Sequence, residues 1–325
     1  PHAAFITASN TFLHTDSRYY NSFIEHLPAD SPWVLDMEVI GIPRWAAERA
    51  RDAKCRVVAV EDTMELSFYD GLVRGLEDLS IGALLPQMHG DLRLMRAVKD
   101  EEEIALMKRA QAITDAAFAH MLEFIRPGLT EKQIKLELEN FMFENGADGL
   151  AFGSIVAAGP NAANPHAIPS DRPVQKGEFV LMDYGARYHD YDSDMTRTVA
   201  VGEPSAKMLE IYDLVQRTHE ECAKAVYAGV DGNDIHELSR KIIGDAGYGE
   251  YYGHGLGHGV GIDIHELPNF GRTHNTVGEG SVVTIEPGVY LPGEFGVRLE
   301  DYGLVTAQGF VPFTQSPHDL QVIDC

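Results

Sequence analysis

The chain has 325 residues, of which 44% are hydrophobic and 23% are charged, a composition typical of a globular enzyme with a full hydrophobic core. Its formal net charge of −24 at pH 7 argues against nucleic acid or an anionic membrane as the main partner, because phosphate groups bind clustered Lys and Arg. No run approaches the ~18 apolar residues of a membrane span, and no signal peptide is visible, so we expect a cytoplasmic protein.

The three cysteines, Cys55, Cys222 and Cys325, are far apart in sequence and form no CxxC pair. Their spacing therefore indicates neither a disulfide scaffold nor a zinc ribbon. We expect buried or idle thiols in a reducing compartment.

The N-terminal part of the chain is predicted to be a small α/β domain. Strand-like segments at residues 3–6 and 56–60 alternate with helix-like segments at residues 43–53 and 64–71.

A long amphipathic helix is predicted after this region. Apolar residues recur at three- and four-residue steps from Ile104 onwards, and acidic residues 100–103 suit the positive N-terminal end of a helix. Pro127 ends the pattern. We therefore place the domain boundary near residue 97, which divides the chain into residues 1–97 and 98–325.

The second domain is predicted to mix helices with hairpins. Thr130 and Gln133 form a capping-box pattern at the start of another helix. Further strands are predicted at residues 179–184, 195–201, 281–285 and 297–299, and further helices at residues 206–228 and 234–247. Tight hairpins indicate an α+β domain rather than a doubly wound parallel sheet.

Two aspartates are expected to face each other across the first hairpin. A turn centred between Tyr188 and His189 would set Asp183 opposite Asp194. Opposed side chains have Cβ atoms ~5 Å apart, and like charges there are destabilising. The pair therefore needs either a cation or a shared proton.

Two glutamates repeat the pattern downstream. Pro292-Gly293 marks a turn, and folding about Gly293 sets Glu286 against Glu300. Arg298 is two residues before Glu300, so on a strand it shares the face of that glutamate. The two hairpins together predict a cage of four carboxylates with one arginine beside it.

A segment rich in glycine and histidine lies between the hairpins. Residues 253–266 hold three His and five Gly, and His254 and His258 are four residues apart. A helix is disfavoured because each Gly costs ~1 kcal/mol relative to Ala, so we expect an extended segment. Carboxylates alone suit magnesium or calcium, whereas added imidazole shifts the preference toward manganese, cobalt, zinc or iron.

These patterns together resemble a known family. Asp183 and Asp194, a His within a Gly/His-rich segment, then Thr-Ile-Glu-Pro-Gly and Arg-x-Glu-Asp resemble the pita-bread metallopeptidases, which include aminopeptidase P, prolidase and methionine aminopeptidase. The resemblance covers most of residues 97–325. It implies an α+β fold, with a pita-bread catalytic domain and a smaller α/β N-terminal domain.

The resemblance implies a dinuclear metal site with five ligands. Asp183 would bind one metal, Asp194 and Glu300 would bridge both, and His258 and Glu286 would hold the second. The implied ions are two divalent metals per chain, manganese first, with cobalt, zinc or iron as alternatives. A metal-bridging hydroxide, formed from water whose pKa the cations lower, would be the nucleophile.

The resemblance also implies roles around the metals. His166, His254 and His265 would orient the substrate carbonyl and stabilise the tetrahedral intermediate. Glu286 is the candidate general base, and Arg298 would hold the bridging carboxylate by a charged hydrogen bond.

The proline-directed branch of the family fits best. Methionine aminopeptidases lack this kind of N-terminal domain and the arginine two residues before the last glutamate, which is Arg298 in this chain. Residues 96–103 also resemble the linker of the proline-directed enzymes. The implied substrate is a proline-containing peptide, cut at Xaa-Pro by an aminopeptidase or a dipeptidase. The Xaa-Pro amide lacks an N–H and populates cis readily, so it needs a dedicated pocket.

Other functions on the same fold stay open. They are a methionine-aminopeptidase-like hydrolase, a creatinase-like hydrolase and a non-catalytic pita-bread binding module. The last two predict missing ligands, whereas all five are present. The N-terminal domain, of creatinase/prolidase type, begins at residues 2–20, which resemble the middle of that domain, so we expect it to be shortened. The resemblance also implies a homodimer.

Overall fold

The computed structural model describes residues 2–37 and 40–324, and the chain divides into two compact units, Pro1–Leu92 and Arg93–Cys325. Cys55 and Cys222 are free thiols, and Cys325 lies outside the described residues. Within the described ranges, we find no helix that is both long enough and apolar enough to cross a membrane.

The first unit is a small α/β unit. Its sheet has the order β1-β2-β3, with β1 antiparallel and β3 parallel to β2. The strands are β1 (Ala3–Ile6), β2 (Thr11–His14) and β3 (Trp33–Asp36), and the helices are α1 (Tyr20–His26), α2 (Ile42–Asp52) and α3 (Leu66–Asp78). Trp45 of α2 is fully buried in the core of this unit.

The strand predicted at residues 56–60 is wrong as a continuous strand. The segment instead forms isolated parallel bridges at Val57 and Val60. Its neighbour contains Pro86, whose carbonyl accepts a hydrogen bond from Val60 but whose ring nitrogen has no hydrogen to donate, so the ladder is interrupted.

Capping determines where the helices of the second unit begin. Asp100 forms a capping box with Glu103, and Thr130 forms one with Gln133, which confirms both predicted helix starts. The remaining helices are α4 (Asp91–Ala97), α5 (Glu101–Phe124), α6 (Glu131–Glu144), α7 (Ala206–Ala225) and α8 (Gly232–Asp245). Short 3-10 helices span Gly159–Ala163 and Gly249–Tyr251.

The described residues of the second unit also form four sheets, with the orders β4-β7-β8, β17-β9-β6-β5, β11-β10-β12-β15-β16 and β13-β14. The strands are β4 (Gly149–Leu150), β5 (Ile155–Ala158), β6 (Glu178–Tyr184), β7 (Ala186–Tyr188), β8 (Tyr191–Asp192), β9 (Met195–Val201), β10 (Gly257–Gly259), β11 (Glu266–Phe270), β12 (Val282–Ile285), β13 (Gly288–Leu291), β14 (Phe295–Arg298), β15 (Asp301–Thr306), β16 (Gly309–Pro312) and β17 (Val322–Ile323).

The sheet containing β6 and β9 is covered on both faces. On one face, Val180 and Val199 pack with Phe118 of α5 in a single apolar cluster. On the other, Phe179 packs with Tyr212 of α7. Because both faces of these strands are buried, polar side chains within them are confined to places where their charge is compensated. The candidate ligands lie at the ends of such strands.

Candidate metal centre and active site

The first predicted hairpin is present, but its predicted register is wrong. Asp183 of β6 pairs with Thr196 of β9, not with Asp194. The turn lies one residue further along, at His189 and Asp190, whose φ angles of 47° and 67° are typical of a tight two-residue hairpin turn. Because the shift is two residues, Asp194 keeps the face shared by Asp183 and Thr196.

Asp194 lies just before β9, where the two strands approach closely. A Cβ atom at Gly185 would overlap the carbonyl oxygen of Ser193, so this position requires glycine. The backbone N–H of Ser193 donates to Ala186 at 3.0 Å. Asp194 directly follows this close approach of the two strands. Its side chain lines the cavity, although the residue is only 4% exposed.

The second predicted hairpin has the predicted register. β12 pairs with β15 through Ile285 and Asp301, and β13 pairs with β14 in the same register around Gly293. Glu286 and Glu300 lie between these two pairings, at the junction of two sheets. They are therefore opposed across the hairpin, as the sequence predicts.

His258 reaches the same cavity from β10, which runs between β11 and β12. A Cβ atom at Gly257 would overlap the carbonyl oxygen of Thr284, which explains a glycine beside the histidine. Nδ1 of His258 donates to the carbonyl of Gly259 at 3.0 Å, because a carbonyl can only accept. The lone pair of Nε2 is therefore free to bind a metal.

The ligand atoms converge closely. Nε2 of His258 lies 3.6 Å from Oδ2 of Asp194 and 3.5 Å from Oε1 of Glu286. Ligand atoms of Asp194, His258 and Glu300 all lie within 4.8 Å of one another. Among the described residues, Oδ1 of Asp194 and Oε1 of Glu300 are buried without a hydrogen-bond partner. Such oxygens are costly unless a cation binds them.

The cluster carries more negative charge than its surroundings stabilise. Burial raises the pKa of Asp183, Asp194, Glu286 and Glu300, to about 8 for Glu286. Neighbouring carboxylates raise the pKa of Asp194 and Glu300 further. Burial lowers the pKa of His258 to about 4, so its imidazole is neutral at neutral pH. Neutral imidazole and ionised carboxylate are the forms that bind metals.

The residues therefore fit divalent cations. Four carboxylates and one neutral imidazole converge, and two of the buried carboxylate oxygens have no hydrogen-bond donor among the residues that the structure describes. The mixed oxygen and nitrogen ligand atoms suit manganese, cobalt, zinc or iron. The predicted ligands Asp183, Asp194, His258, Glu286 and Glu300 all line one cavity.

A second cluster also has metal-binding side chains in proximity, namely His219, Asp301 and His318. Its carboxylate already has partners, because Arg197 donates to Oδ1 at 2.8 Å and Nε2 of His318 contacts Oδ2 at 2.7 Å. Both ring nitrogens of His219 are buried without a hydrogen-bond partner among the described residues. The nearby Arg197 cation disfavours a metal here.

Arg298 differs from its predicted role. Its Nη2 donates to Oδ2 of Asp183, and its Nε donates to the hydroxyl of Thr196 at 2.9 Å. That hydroxyl in turn donates to Oε2 of Glu300 at 2.7 Å. Arg298 therefore holds Asp183 directly and the predicted bridging carboxylate, Glu300, through a relay, because the hydroxyl lies between them.

A hydrogen-bond chain continues from Arg298 to His254. Nη1 of Arg298 donates to the Tyr290 hydroxyl at 2.8 Å, and that hydroxyl lies 2.9 Å from Nε2 of His254. Nδ1 of His254 donates to the carbonyl of Gly255 at 2.7 Å. Both ring nitrogens of His254 are thus engaged by protein groups, while the residue also lines the cavity, so its predicted contact with the substrate carbonyl stays a prediction. Burial lowers the pKa of His254 to about 3.

Two residues of this network, Tyr290 and Thr196, were not predicted from the sequence. Thr196 is two residues after Asp194, so strand parity places it on the ligand face. Tyr290 of β13 pairs with Gly296 of β14. Because Gly296 is two residues before Arg298 on the same strand, Tyr290 and Arg298 share a face of the hairpin. Parity along each strand was the signal that could have identified both.

The other two predicted histidines, His166 and His265, are accessible to a ligand in the cavity. His166 and His265 are exposed and line the cavity, and the His265 ring lies 4.3 Å from the His258 ring. The cavity has a volume of about 400 Å³, within the range of small-molecule sites. Apolar side chains complete its wall: Phe152, Ile155, Pro165 and Ile264.

The fold and the site define a metallopeptidase of pita-bread type. The model of metallopeptidase family M24 matches residues 105–307, and the chain belongs to this family. The predicted family, fold class and enzyme class are confirmed.

Relatives and solved structures agree with this family. An Xaa-Pro dipeptidase of Pyrococcus horikoshii is 40% identical over 230 residues, which is 70% of this chain and 66% of the relative. The structure of an Xaa-Pro dipeptidase from Bacillus anthracis has a TM-score of 0.92 at 37% identity, over 99% of this chain and 89% of that one. The structure of an X-Pro aminopeptidase from Thermotoga maritima has a TM-score of 0.88 at 34% identity, over 98% of this chain and 89% of that one.

Proposed function

We propose that this chain hydrolyses Xaa-Pro peptide bonds with two divalent cations held by Asp183, Asp194, His258, Glu286 and Glu300. The observation that carries the proposal is the convergence of these five side chains around two buried carboxylate oxygens that have no hydrogen-bond partner in the described part of the chain. Relatives named Xaa-Pro dipeptidase and a structure named X-Pro aminopeptidase support the proline specificity.

The metals, when bound, supply Lewis acidity and an activated water. The chain's own residues hold the site in place. Arg298 fixes Asp183 directly and Glu300 through Thr196, so the carboxylates keep their geometry when charge changes at the centre. Among the four predicted carboxylate ligands, Glu286 has the most exposed side chain, 17%, and it lines the cavity, so it is the candidate proton acceptor.

Two histidines can donate hydrogen bonds to the substrate. His166 and His265 are exposed at the cavity, where a donor can stabilise negative charge on the carbonyl oxygen of the cleaved bond. His254 also has a positioning role, because its Nε2 faces the Tyr290 hydroxyl. It holds that hydroxyl against Arg298.

The apolar wall suits a proline ring. Phe152, Ile155 and Ile264 contribute side chains without hydrogen-bonding groups, and proline likewise has no N–H to satisfy. A cavity of about 400 Å³ accommodates a short peptide rather than an extended chain.

The test is hydrolysis by chain reconstituted with manganese. Three substrates are compared: an Xaa-Pro dipeptide, an Xaa-Pro-Yaa tripeptide and the matched Xaa-Ala dipeptide. We expect cleavage of a proline substrate with the alanine analogue cut more slowly. Cleavage of the dipeptide alone defines a dipeptidase, and cleavage of the tripeptide an aminopeptidase. Equal rates on the proline and alanine dipeptides would overturn the specificity.

Three finer features are proposals with their own measurements. Manganese, rather than cobalt, zinc or iron, is tested by elemental analysis of protein isolated without added metal. A homodimer is tested by light scattering in solution. A cytoplasmic location is tested by fractionation of the source cells.

A further inference from the structure

The linker that precedes α5 contacts the segment that carries His265. Nζ of Lys99 lies 3.0 Å from Oε2 of Glu266, and the two side chains are 1% and 5% exposed. Nη2 of Arg96 donates to Oε1 of the same carboxylate and to Oδ2 of Asp263, the latter at 2.9 Å. Two cations thus hold the side chain that follows His265 in the chain.

Lys99 is itself fixed by the backbone. Its N–H donates to the carbonyl of Gly280 at 2.9 Å, and Val98 forms an antiparallel bridge with Ser281. Ser281 leads directly into β12, and Glu286 is the first residue after that strand. The linker is therefore attached to the strand that delivers a predicted metal ligand.

The Glu266 carboxylate organises the turn around it. The backbone N–H of Asp263 donates to Oε1 of Glu266 at 3.1 Å, and that of Gly261 donates to the carbonyl of Asp263 at 3.1 Å. A Cβ atom at Gly261 would overlap the carboxylate. The backbone N–H of Asp192 donates to the carbonyl of Gly261 at 2.8 Å, which ties the turn to the first hairpin.

The buried pair is sensitive to loss of either partner. Burial lowers the pKa of Lys99, and Glu266 opposes that shift by stabilising the ammonium form. Removing one partner of a buried ion pair leaves the other charge uncompensated. Without Lys99 the Glu266 carboxylate would keep only Arg96, whose side chain is 38% exposed, so the carboxylate would shift toward that more exposed cation and the turn bonded to it would move as well.

We propose that Lys99 and Arg96 are positioning residues that act through Glu266 to hold His265 against the cavity. This inference rests on the proposed function, because turnover of an Xaa-Pro substrate is one of its readouts. His265 is exposed and its ring lies 4.3 Å from the His258 ring, so the backbone turn that carries it sets where the imidazole enters the cavity.

The first experiment is a double-mutant cycle with Lys99→Met and His265→Ala. We expect Lys99→Met to lower kcat by about 10²-fold, as misplacement of an active-site group does, with KM changed far less and metal content unchanged. In the His265→Ala background, Lys99→Met should lower kcat by no more than about twofold, because the group it positions is gone. Equal effects in both backgrounds would overturn the proposal.

Controls separate positioning from general destabilisation. Lys241→Met removes a lysine from an exposed ion pair with Asp245 and should leave kcat unchanged. Lys99→Arg keeps the charge and should restore most of the lost turnover. If Lys99→Met does not fold, Arg96→Gln, at a side chain that is 38% exposed, takes its place in the cycle with the same expectation.

Amide hydrogen exchange gives a readout independent of substrate. Residues 260–266 should exchange faster in Lys99→Met than in the unmodified chain, while β6 and β9 should be unchanged. Unaltered exchange in residues 260–266 would overturn the positioning role. An unmodified chain that cuts no Xaa-Pro substrate would instead contradict the proposed function, and the exchange result would still decide the role of Lys99.

Discussion

Glu300 and Asp301 are neighbours in sequence, yet their carboxylates belong to clusters with opposite electrostatics. Within residues 2–37 and 40–324, Oε1 of Glu300 is buried without a hydrogen-bond partner, and burial together with the neighbouring carboxylates raises the pKa of Glu300 well above its ordinary range. Asp301 is also buried, but His219, His318 and Arg197 lower its pKa below the ordinary range despite that burial.

The difference shows which cluster needs a metal. Both contain histidine and carboxylate ligand atoms in proximity. Around Glu300 the charge is uncompensated, so cations stabilise the folded state. Around Asp301 an arginine already neutralises the carboxylate. Proximity of metal-binding residues is therefore not enough to indicate a metal site. Whether a cluster needs a metal depends on how far other charges and hydrogen bonds already compensate its carboxylates.

The largest expected effect comes from Glu300→Gln. Loss of a predicted bridging ligand should reduce bound metal below that of the unmodified chain and bring hydrolysis of Xaa-Pro substrates to background. Elemental analysis and initial rates measure both. Full metal content with retained turnover would contradict the assignment of Glu300.

Asp301→Asn is the matched change in the neighbouring cluster. It should leave the metal content unchanged but destabilise the fold by about 3–5 kcal/mol, because Arg197 is left buried without its anion. Chemical denaturation of the metal-loaded protein measures the loss. If Asp301→Asn instead lowered the metal content with little loss of stability, the cluster around Asp301 would be a metal site, contrary to the comparison above.

His265→Ala should separate turnover from metal binding. We expect kcat to fall by ~10²-fold or more if the imidazole stabilises charge in the transition state, with metal content unchanged. Loss of metal in this variant would make His265 a ligand instead.

The smallest expected effect is on the pH dependence of stability. Burial lowers the pKa of His219 from 6.5 to about 3, so the unfolded chain binds a proton at this residue between these pH values while the folded chain does not. Stability contributed by His219 is therefore full above pH ~6.5 and declines as pH falls toward ~3. His219→Gln should flatten the unfolding free energy in that window. An unchanged pH profile would show that His219 is not buried as a neutral group.

The two hairpins show how far the sequence predicts the site. Pro292-Gly293 identifies its turn, and Gly293 has a φ of 79° as such a turn requires, so the register of Glu286 and Glu300 was predicted correctly. The other turn uses His189 and Asp190 at positive φ, which is uncommon without glycine, so its centre was misplaced by one residue. Because the error shifted the register by two residues, Asp183 and Asp194 still lie on the same face of the hairpin.

Side-chain networks were less predictable than strand faces. Arg298 was expected beside the Glu300 carboxylate, but it reaches Asp183 because the two hairpins come from different sheets. Sequence spacing gives the face of a strand and not the packing of one sheet against another. The two helix starts, by contrast, are local: the capping box at Thr130 was predicted, and the acidic residues 100–103 indicated the other start, where Asp100 also forms a capping box.

The most direct test of a two-metal Xaa-Pro peptidase is a metal titration of turnover. Manganese is added stepwise to metal-free chain while hydrolysis of an Xaa-Pro dipeptide is measured. The five-ligand site predicts no turnover without metal and a plateau once two ions are bound per chain. Turnover of the dipeptide by the metal-free chain, or two tightly bound ions without any turnover, would contradict it.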